Sequence, residues 1–297
     1  MAAGPYGALL DAVGAVRWPA RRRVPGGGPG AHQSRTRGVA PEFAEYRPYR
    51  QGDDPRRIDW KLLGRSDRAF IRLAPDHAIL GTTFIVDASA SMDFPRVTVA
   101  GDGHRASGKW ELAKRLTIAL AAVAHASGDP VGLTVISSQG TRRLDPRTRA
   151  GVVADIARTL DAVVPDGSAP LAPLVAGAAS RCVAITDCLG DVEALSAALA
   201  RHRVRGGEAH LLHVVSRTEL DPPSVAVTAV DPEDPRCERP LVVSTRAGYR
   251  ESFAAWRAEV SRRALADGIA YHEVHDDALP EVLVRRIVVP PGGEWRR

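Results

Sequence analysis

The sequence predicts an α/β protein with a doubly wound, mostly parallel sheet, and three observations lead to this fold class. From about residue 78 onward, apolar strand-like runs alternate with stretches whose apolar residues recur at helical spacing. The run AILGTTFIV is continuously apolar, as expected for a strand that helices cover on both faces. The chain has 297 residues, 44% of them hydrophobic, which is enough for one large domain and an appendage.

The elements of this predicted domain, residues 78–290, follow one another in a regular order. Strands are predicted at AILGTTFIV, VGLTVIS, RCVAIT, AHLLHVV and IAYHEV, and SVAVTAVD with PLVVST predicts a hairpin at an edge of the sheet. Helices are predicted at 109–126, 147–163, DVEALSAALARHRV, RESFAAWRAEVSRRALA and ALPEVLVRRI. Asp191 is the expected N-cap of the third of these helices, and Gly206-Gly207 should end it.

Two segments precede the domain. Residues 1–37 contain PGGGPG and a run of arginines without intervening acids, which predicts a flexible basic arm, with a short amphipathic helix at 8–18. Residues 38–77 are rich in turn formers, opposite charges and aromatic residues, and RAFIRL alternates like a half-buried strand. We therefore expect a β/irregular appendage that packs its aromatic side chains on the domain.

Composition excludes several classes of protein. The net charge of +5 is too small to require a nucleic-acid partner, and the three cysteines show no CxxC spacing typical of zinc sites. The N-terminus carries its arginines after the apolar part, the reverse of a signal peptide. No apolar run approaches the ~18–20 residues that a membrane span needs. These features predict a cytoplasmic protein with reduced thiols and no membrane span.

Oxygen-bearing side chains follow several of the predicted strands. FIVDASAS places Asp87, Ser89 and Ser91 just past a strand end, where ligands bind in open α/β sheets. Ser168 in PDGSAPL and Asp187 in ITD follow two further strands. Oxygen ligands favour Mg²⁺, with Ca²⁺ or Mn²⁺ as alternatives. Two neutral hydroxyls as direct ligands, with the first aspartate acting through water, would leave the ion under-neutralised, so that a partner's carboxylate would complete its shell.

Two motifs carry a resemblance to known families. DASAS followed by ITD resembles the metal-ion-dependent adhesion site of von Willebrand factor type A domains. A second resemblance is to the bacterial family called domain of unknown function 58, and it extends over roughly residues 30–285. It rests on the segment HQSRTRGVAPEFAEYRPYRQGDDPRRIDWKLLGRSDRAFIRL, which is followed by FIVDASASMDF. Within that family's pattern Ser168 stands where threonine is usual, and HVVS at 213–216 lacks an acid that is often present.

The resemblance implies a von Willebrand factor A-like, Rossmann-like fold and a partnership with a MoxR-type AAA+ ATPase in protein maturation or remodelling. It assigns metal ligation to Asp87, Ser89 and Ser91 as the first motif element and to Asp187 at the later strand end, with Ser168 in the middle loop. The predicted function is a non-enzymatic, metal-dependent protein-interaction module that binds an acidic side chain of its partner.

Other interpretations remain open at this stage. The cluster could be an ordinary helix N-terminus, or it could serve a Mg²⁺-dependent hydrolase with Asp187 or Asp166 as general base. The arginine-rich arm could bind nucleic acid. GHRASGKW matches a phosphate loop as far as Lys109, but Trp110 replaces the required hydroxyl residue, and the segment does not directly follow a strand. Lys109 is instead expected to open the next helix.

Overall fold

Six strands form the central sheet in the computed structural model, which describes residues 4–20, 32–33, 45–49, 58–66, 68–73, 77–95, 108–168, 170–224, 227–233 and 236–289. The helices are α1 (Gly7–Val13), α2 (Trp60–Ser66), α3 (Gly108–Ala126), α4 (Val152–Asp161), α5 (Val192–Val204), α6 (Arg217–Leu220), α7 (Val243–Ala266) and α8 (Pro280–Val288). The strands are β1 (His32–Gln33), β2 (Glu45–Pro48), β3 (Phe70–Leu73), β4 (His77–Ala78), β5 (Thr82–Asp87), β6 (Val131–Ser137), β7 (Gly140–Arg147), β8 (Arg181–Thr186), β9 (Glu208–Val215), β10 (Val227–Val230), β11 (Glu238–Leu241) and β12 (Ala270–His275).

The central sheet has the order β12-β9-β8-β5-β6-β7, and each neighbouring pair is parallel except β6 with β7. Helices cover both faces, as successive side chains of β5 demonstrate. Phe84 and Val86 belong to the core beneath α1, α3, α4 and α8, whereas Ile85 belongs to the core beneath α5 and α7. The predicted doubly wound, mostly parallel sheet is confirmed.

Two stretches of the domain differ from the prediction. β7 has the sequence GTRRLDPR, which is polar and largely exposed, so it lacks the apolar signal of the other strands. β7 pairs with β6 and forms the edge of the sheet. Because β7 extends to Arg147, α4 begins at Val152 and not at residue 147 as predicted. The hairpin of β10 and β11 forms its own two-stranded sheet instead of an edge of the central one. β11 ends at Leu241, and the apolar VVST becomes the first turn of α7.

The N-terminal segment packs against the domain. Leu9, Val13 and Trp18 are buried in the core, whereas residues 1–37 were expected to form a flexible arm. The Trp18 ring lies 4.3 Å from the guanidinium carbon of Arg181, which is itself fully buried. Of the rest of the arm, the structure describes only β1, which pairs with β4.

The appendage contains the predicted strand RAFIRL as β3, which pairs antiparallel with β2. Between these strands lies α2, which the sequence did not predict. Its Trp60 is 64% exposed, so this aromatic side chain does not pack on the domain as expected. Phe43 and the acids at positions 53 and 54 lie outside the described residues. In the described part of the chain, no helix combines the length and apolarity needed to cross a membrane.

We expect Trp18→Ala to lower the free energy of unfolding by about 3 kcal/mol or more, because it opens a cavity and removes the ring that covers the Arg181 guanidinium. Trp60→Ala is the matched control and should change stability by less than about 0.5 kcal/mol, since its ring is largely exposed. Urea denaturation followed by circular dichroism measures both. Equal stabilities of the two variants would contradict the assigned role of Trp18.

Candidate metal and partner-binding site

The candidate site lies where two adjacent strands end. β5 and β8 are parallel neighbours near the middle of the sheet, so their carboxyl ends reach the same edge. Asp87 is the last residue of β5, and Ser89 and Ser91 follow it in a turn that continues as a 3₁₀ helix. Thr186 is the last residue of β8, with Asp187 directly after it. The fold therefore brings together two of the three loops singled out from the sequence.

Hydrogen bonds hold the Asp87 carboxylate in place. Its Oδ1 accepts the backbone N–H of Ser89 at 2.9 Å, and its Oδ2 accepts the Thr186 hydroxyl at 2.7 Å. The Oγ atoms of Ser89 and Ser91 are 3.1 Å apart. Burial first, and the neighbouring Asp187 carboxylate second, raise the pKa of Asp87 to about 6. The ionised carboxylate is thus costly at this position unless a cation lies nearby.

This geometry fits a small hard cation. Oxygens on adjacent corners of an octahedral Mg²⁺ shell, each ~2.0–2.1 Å from the ion, lie about 3 Å from each other. The Ser89 and Ser91 hydroxyl oxygens have nearly that separation. Asp87 and Thr186 also line a cavity of about 240 Å³, but the two serines are not part of its lining. Within the described ranges, no group of three or more His, Cys, Asp or Glu side chains is arranged to hold a metal, so such an ion would depend on the hydroxyls.

The middle loop approaches the cluster through its backbone. Asp166 N–H donates to the Ala88 carbonyl at 2.9 Å, and the Gly167 carbonyl accepts from Ala90 N–H at 2.8 Å. Ser168 follows directly, but its side chain is exposed and makes no hydrogen bond to the described residues of the cluster. The loop predicted to supply the third oxygen is therefore adjacent to the site, whereas ligation by Ser168 itself stays a prediction.

A buried lysine is the principal feature that the sequence analysis missed. Lys109, in the first turn of α3, places its Nζ 2.7 Å from Asp187 Oδ2 and 2.7 Å from Glu219 Oε1. Its side chain is only 1% exposed. Burial alone would lower the pKa of Lys109, but the two carboxylates outweigh burial and raise the pKa. The lysine does open its helix as predicted, and its ammonium group also lies within the candidate site.

Glu219 supplies an acid from the end of a third strand. The sequence HVVS lacks an acid at the end of β9, but Ser216 begins α6 with a capping box in which Glu219 Oε2 accepts the Ser216 N–H at 2.7 Å. The other carboxylate oxygen of Glu219 is then directed to Lys109. The signal for this residue was present in the sequence as S-x-x-E immediately after a strand, which is a typical capping pattern.

The site is more enclosed than the sequence predicted. A partner's carboxylate was expected to reach an ion at these serines, but Ser89 and Ser91 are only 4% and 2% exposed. The loop at 166–168 lies against the turn that carries these serines. From the other side, Glu233 places its Oε1 3.5 Å from the Ser91 Oγ. A ligand from a partner would therefore have to displace part of this covering.

Comparison with known families agrees with the motifs. The family described as "Protein of unknown function DUF58" matches residues 45–263, well over half of the chain. The chain belongs to this family. Among curated proteins, it is 25% identical over 278 residues to uncharacterized proteins of Mycobacterium tuberculosis and Mycobacterium bovis, covering 86% of this chain and 80% of each relative. The prediction of DUF58 membership is confirmed.

Solved structures resemble the domain at low sequence identity. An aerotolerance-related membrane protein from Bacteroides fragilis aligns at 18% identity and a TM-score of 0.44, over 70% of this chain and 98% of its own. The protein BatB from Bacteroides thetaiotaomicron aligns at 17% identity and a TM-score of 0.43, over 70% and 97%. The VWA domain of SpRpn10 aligns at 11% identity and a TM-score of 0.40, over 71% and 94%.

In this DUF58 protein, Lys109→Met is expected to lower the free energy of unfolding by about 3–5 kcal/mol, because it leaves two buried carboxylates without a counter-charge. Adding Glu219→Gln to that variant should recover part of the loss. Lys114→Met on the same helix is the control. It breaks a more exposed pair with Glu111 and Asp161 and should cost roughly 0–1 kcal/mol. Denaturant unfolding of the variants would refute the assignment if Lys109→Met cost no more than Lys114→Met.

Proposed function

We propose that the strand-end cluster binds a divalent cation, preferably Mg²⁺, and that the ion docks an acidic side chain of a protein partner. The observation that carries this proposal is the pair of buried hydroxyls of Ser89 and Ser91, 3.1 Å apart beside the Asp87 carboxylate. Direct ligation by neutral hydroxyls leaves most of the charge of the ion uncompensated. A carboxylate that is supplied from outside the cluster then gains a strong electrostatic interaction.

The charge balance of the site supports a docking role. The Lys109 ammonium already neutralises part of the charge of Asp187 and Glu219, since it lies 2.7 Å from an oxygen of each. Those two carboxylates are therefore poor competitors for a place on the ion. The groups that donate to the two oxygens of Asp87, the Ser89 N–H and the Thr186 hydroxyl, are both uncharged. An ion at Ser89 and Ser91 would consequently attract one further carboxylate.

A MoxR-type AAA+ ATPase is the partner that we propose, and the resemblance to the DUF58 pattern supports that choice. The proposed role is non-enzymatic. The two aspartates considered as general bases of a hydrolase both accept from another side chain, Asp187 from Lys109 at 2.7 Å and Asp166 from the Ser138 hydroxyl at 2.6 Å. The contact of Asp187 supports binding, because Lys109 engages an oxygen that a general base would use to accept a proton. Of the arginines that suggested nucleic-acid binding by the N-terminal arm, the structure describes only Arg17.

Magnesium is expected to stabilise the wild-type protein against unfolding by about 2.7 kcal/mol when free Mg²⁺ is a hundred times the dissociation constant. Ser89→Ala should lose most of this increment, because it removes a direct ligand. Each variant is compared in Mg²⁺ and in EDTA, so the intrinsic cost of the substitution cancels. Ser127→Ala, at the far end of α3, should retain the full increment. Equal increments in both variants would argue against ligation by Ser89.

Binding to the purified MoxR-type ATPase from the same organism is expected in Mg²⁺ and should be lost in EDTA. Asp87→Ala and Ser89→Ala should weaken it at least ten-fold, whereas Ser127→Ala should bind like the wild type. Surface plasmon resonance with the ATPase immobilised measures all four proteins. An affinity that responds neither to EDTA nor to the two site variants would exclude metal-dependent docking.

A further inference from the structure

A carboxylate of the chain itself lies beside the serines of the candidate site. Glu233 directs its Oε1 to within 3.5 Å of the Ser91 Oγ, although the two residues are far apart in the chain. This separation is only slightly longer than the ~3 Å between neighbouring oxygens of an octahedral Mg²⁺ shell. Glu233 could therefore share an ion with the Ser91 hydroxyl after a small adjustment of its side chain.

The local backbone presents Glu233 in a defined position. It lies in the loop between β10 and β11, where the Asp231 carboxylate accepts the Glu233 N–H at 2.9 Å in an Asx turn. The Asp231 N–H in turn donates to the Cys237 carbonyl at 3.0 Å and closes the loop. The hairpin thus holds a carboxylate at its tip, and that carboxylate contacts the serine turn after β5.

The hairpin makes no strand pairing with the central sheet in the described residues. β10 and β11 pair only with each other in the described sheets, and most of their described side chains are exposed. Beside this contact, a cleft of about 590 Å³ lies between the hairpin and residues that border the site, among them Ala90 and Glu219. The cleft has a largely apolar lining that includes Phe94, Pro222, Pro232, Leu241 and Tyr249. Displacement of the hairpin would open this cleft together with the covered face of the serines.

We propose that Glu233 is the chain's own carboxylate ligand for the cation, and that it fills the coordination position that a partner's acid takes over on binding. This inference rests on the proposed function, because it assumes a cation at Ser89 and Ser91. It explains why the two serines are almost fully buried in a site that has to receive a partner. The resting site is closed by the hairpin, and a partner competes with Glu233 for the ion.

The test uses Mn²⁺ as a paramagnetic probe for the full-length chain, since it accepts the same oxygen ligands. Glu233→Ala is expected to weaken Mn²⁺ binding roughly ten-fold. It should also raise the water-proton relaxivity of the bound ion, because a water molecule replaces the carboxylate. Glu238→Ala is the matched control, with the same charge change at an exposed position of the same hairpin. It should leave both quantities within two-fold of the wild type.

The outcomes separate this inference from the proposed function. If Ser89→Ala abolishes Mn²⁺ binding while Glu233→Ala behaves like Glu238→Ala, the inference is overturned and the metal site stands. A fall in affinity without a rise in relaxivity also overturns it, because Glu233 would then act on the ion only through its charge. If the wild-type chain binds no Mn²⁺, the proposed function fails and the inference fails with it.

Discussion

The buried ammonium group of Lys109 is the interaction on which the strand-end site depends. It joins the first turn of α3 to the end of β8 through Asp187 and to α6 through Glu219. Two carboxylates could not remain ionised and buried at this edge of the sheet without a counter-charge. The lysine therefore allows three loops from separate strands to converge with their oxygens close together.

The Lys109 ammonium group also determines how much of the negative charge of the site would be available to a bound cation. Asp187 is the motif residue that family resemblance places at the metal, yet its Oδ2 is engaged by Lys109 and its Oδ1 accepts the Leu189 N–H at 3.2 Å. The site combines neutral hydroxyls with one further buried carboxylate, Asp87. Such a site holds a divalent ion weakly unless another acid joins it. The proposed dependence on an additional carboxylate would therefore follow from the local charge balance.

A second buried cation, with a structural role, lies at the amino ends of the strands. Arg181, at the start of β8, donates to Glu208 at 3.1 Å and to the Pro19 carbonyl at 3.1 Å, while the Trp18 ring covers its guanidinium. The N-terminal segment is thereby fixed across the amino ends of the strands. β8 thus begins at Arg181, which contacts the N-terminal segment. It ends next to Asp187, which contacts Lys109 in the candidate site.

The sequence by itself determined the fold class and most of the central elements, because parallel strands buried on both faces and helices with an apolar face leave strong periodic patterns. It also predicted that Asp87, Ser89, Ser91 and Asp187 lie together, since side chains that follow strand ends in an open sheet share one edge. The polar edge strand β7 and the helix α2 carried no such pattern. The contacts of Lys109, Glu219 and Glu233 join residues far apart in the chain. Only the tertiary structure decides such contacts, because they depend on which loops the sheet order brings together and not on local sequence.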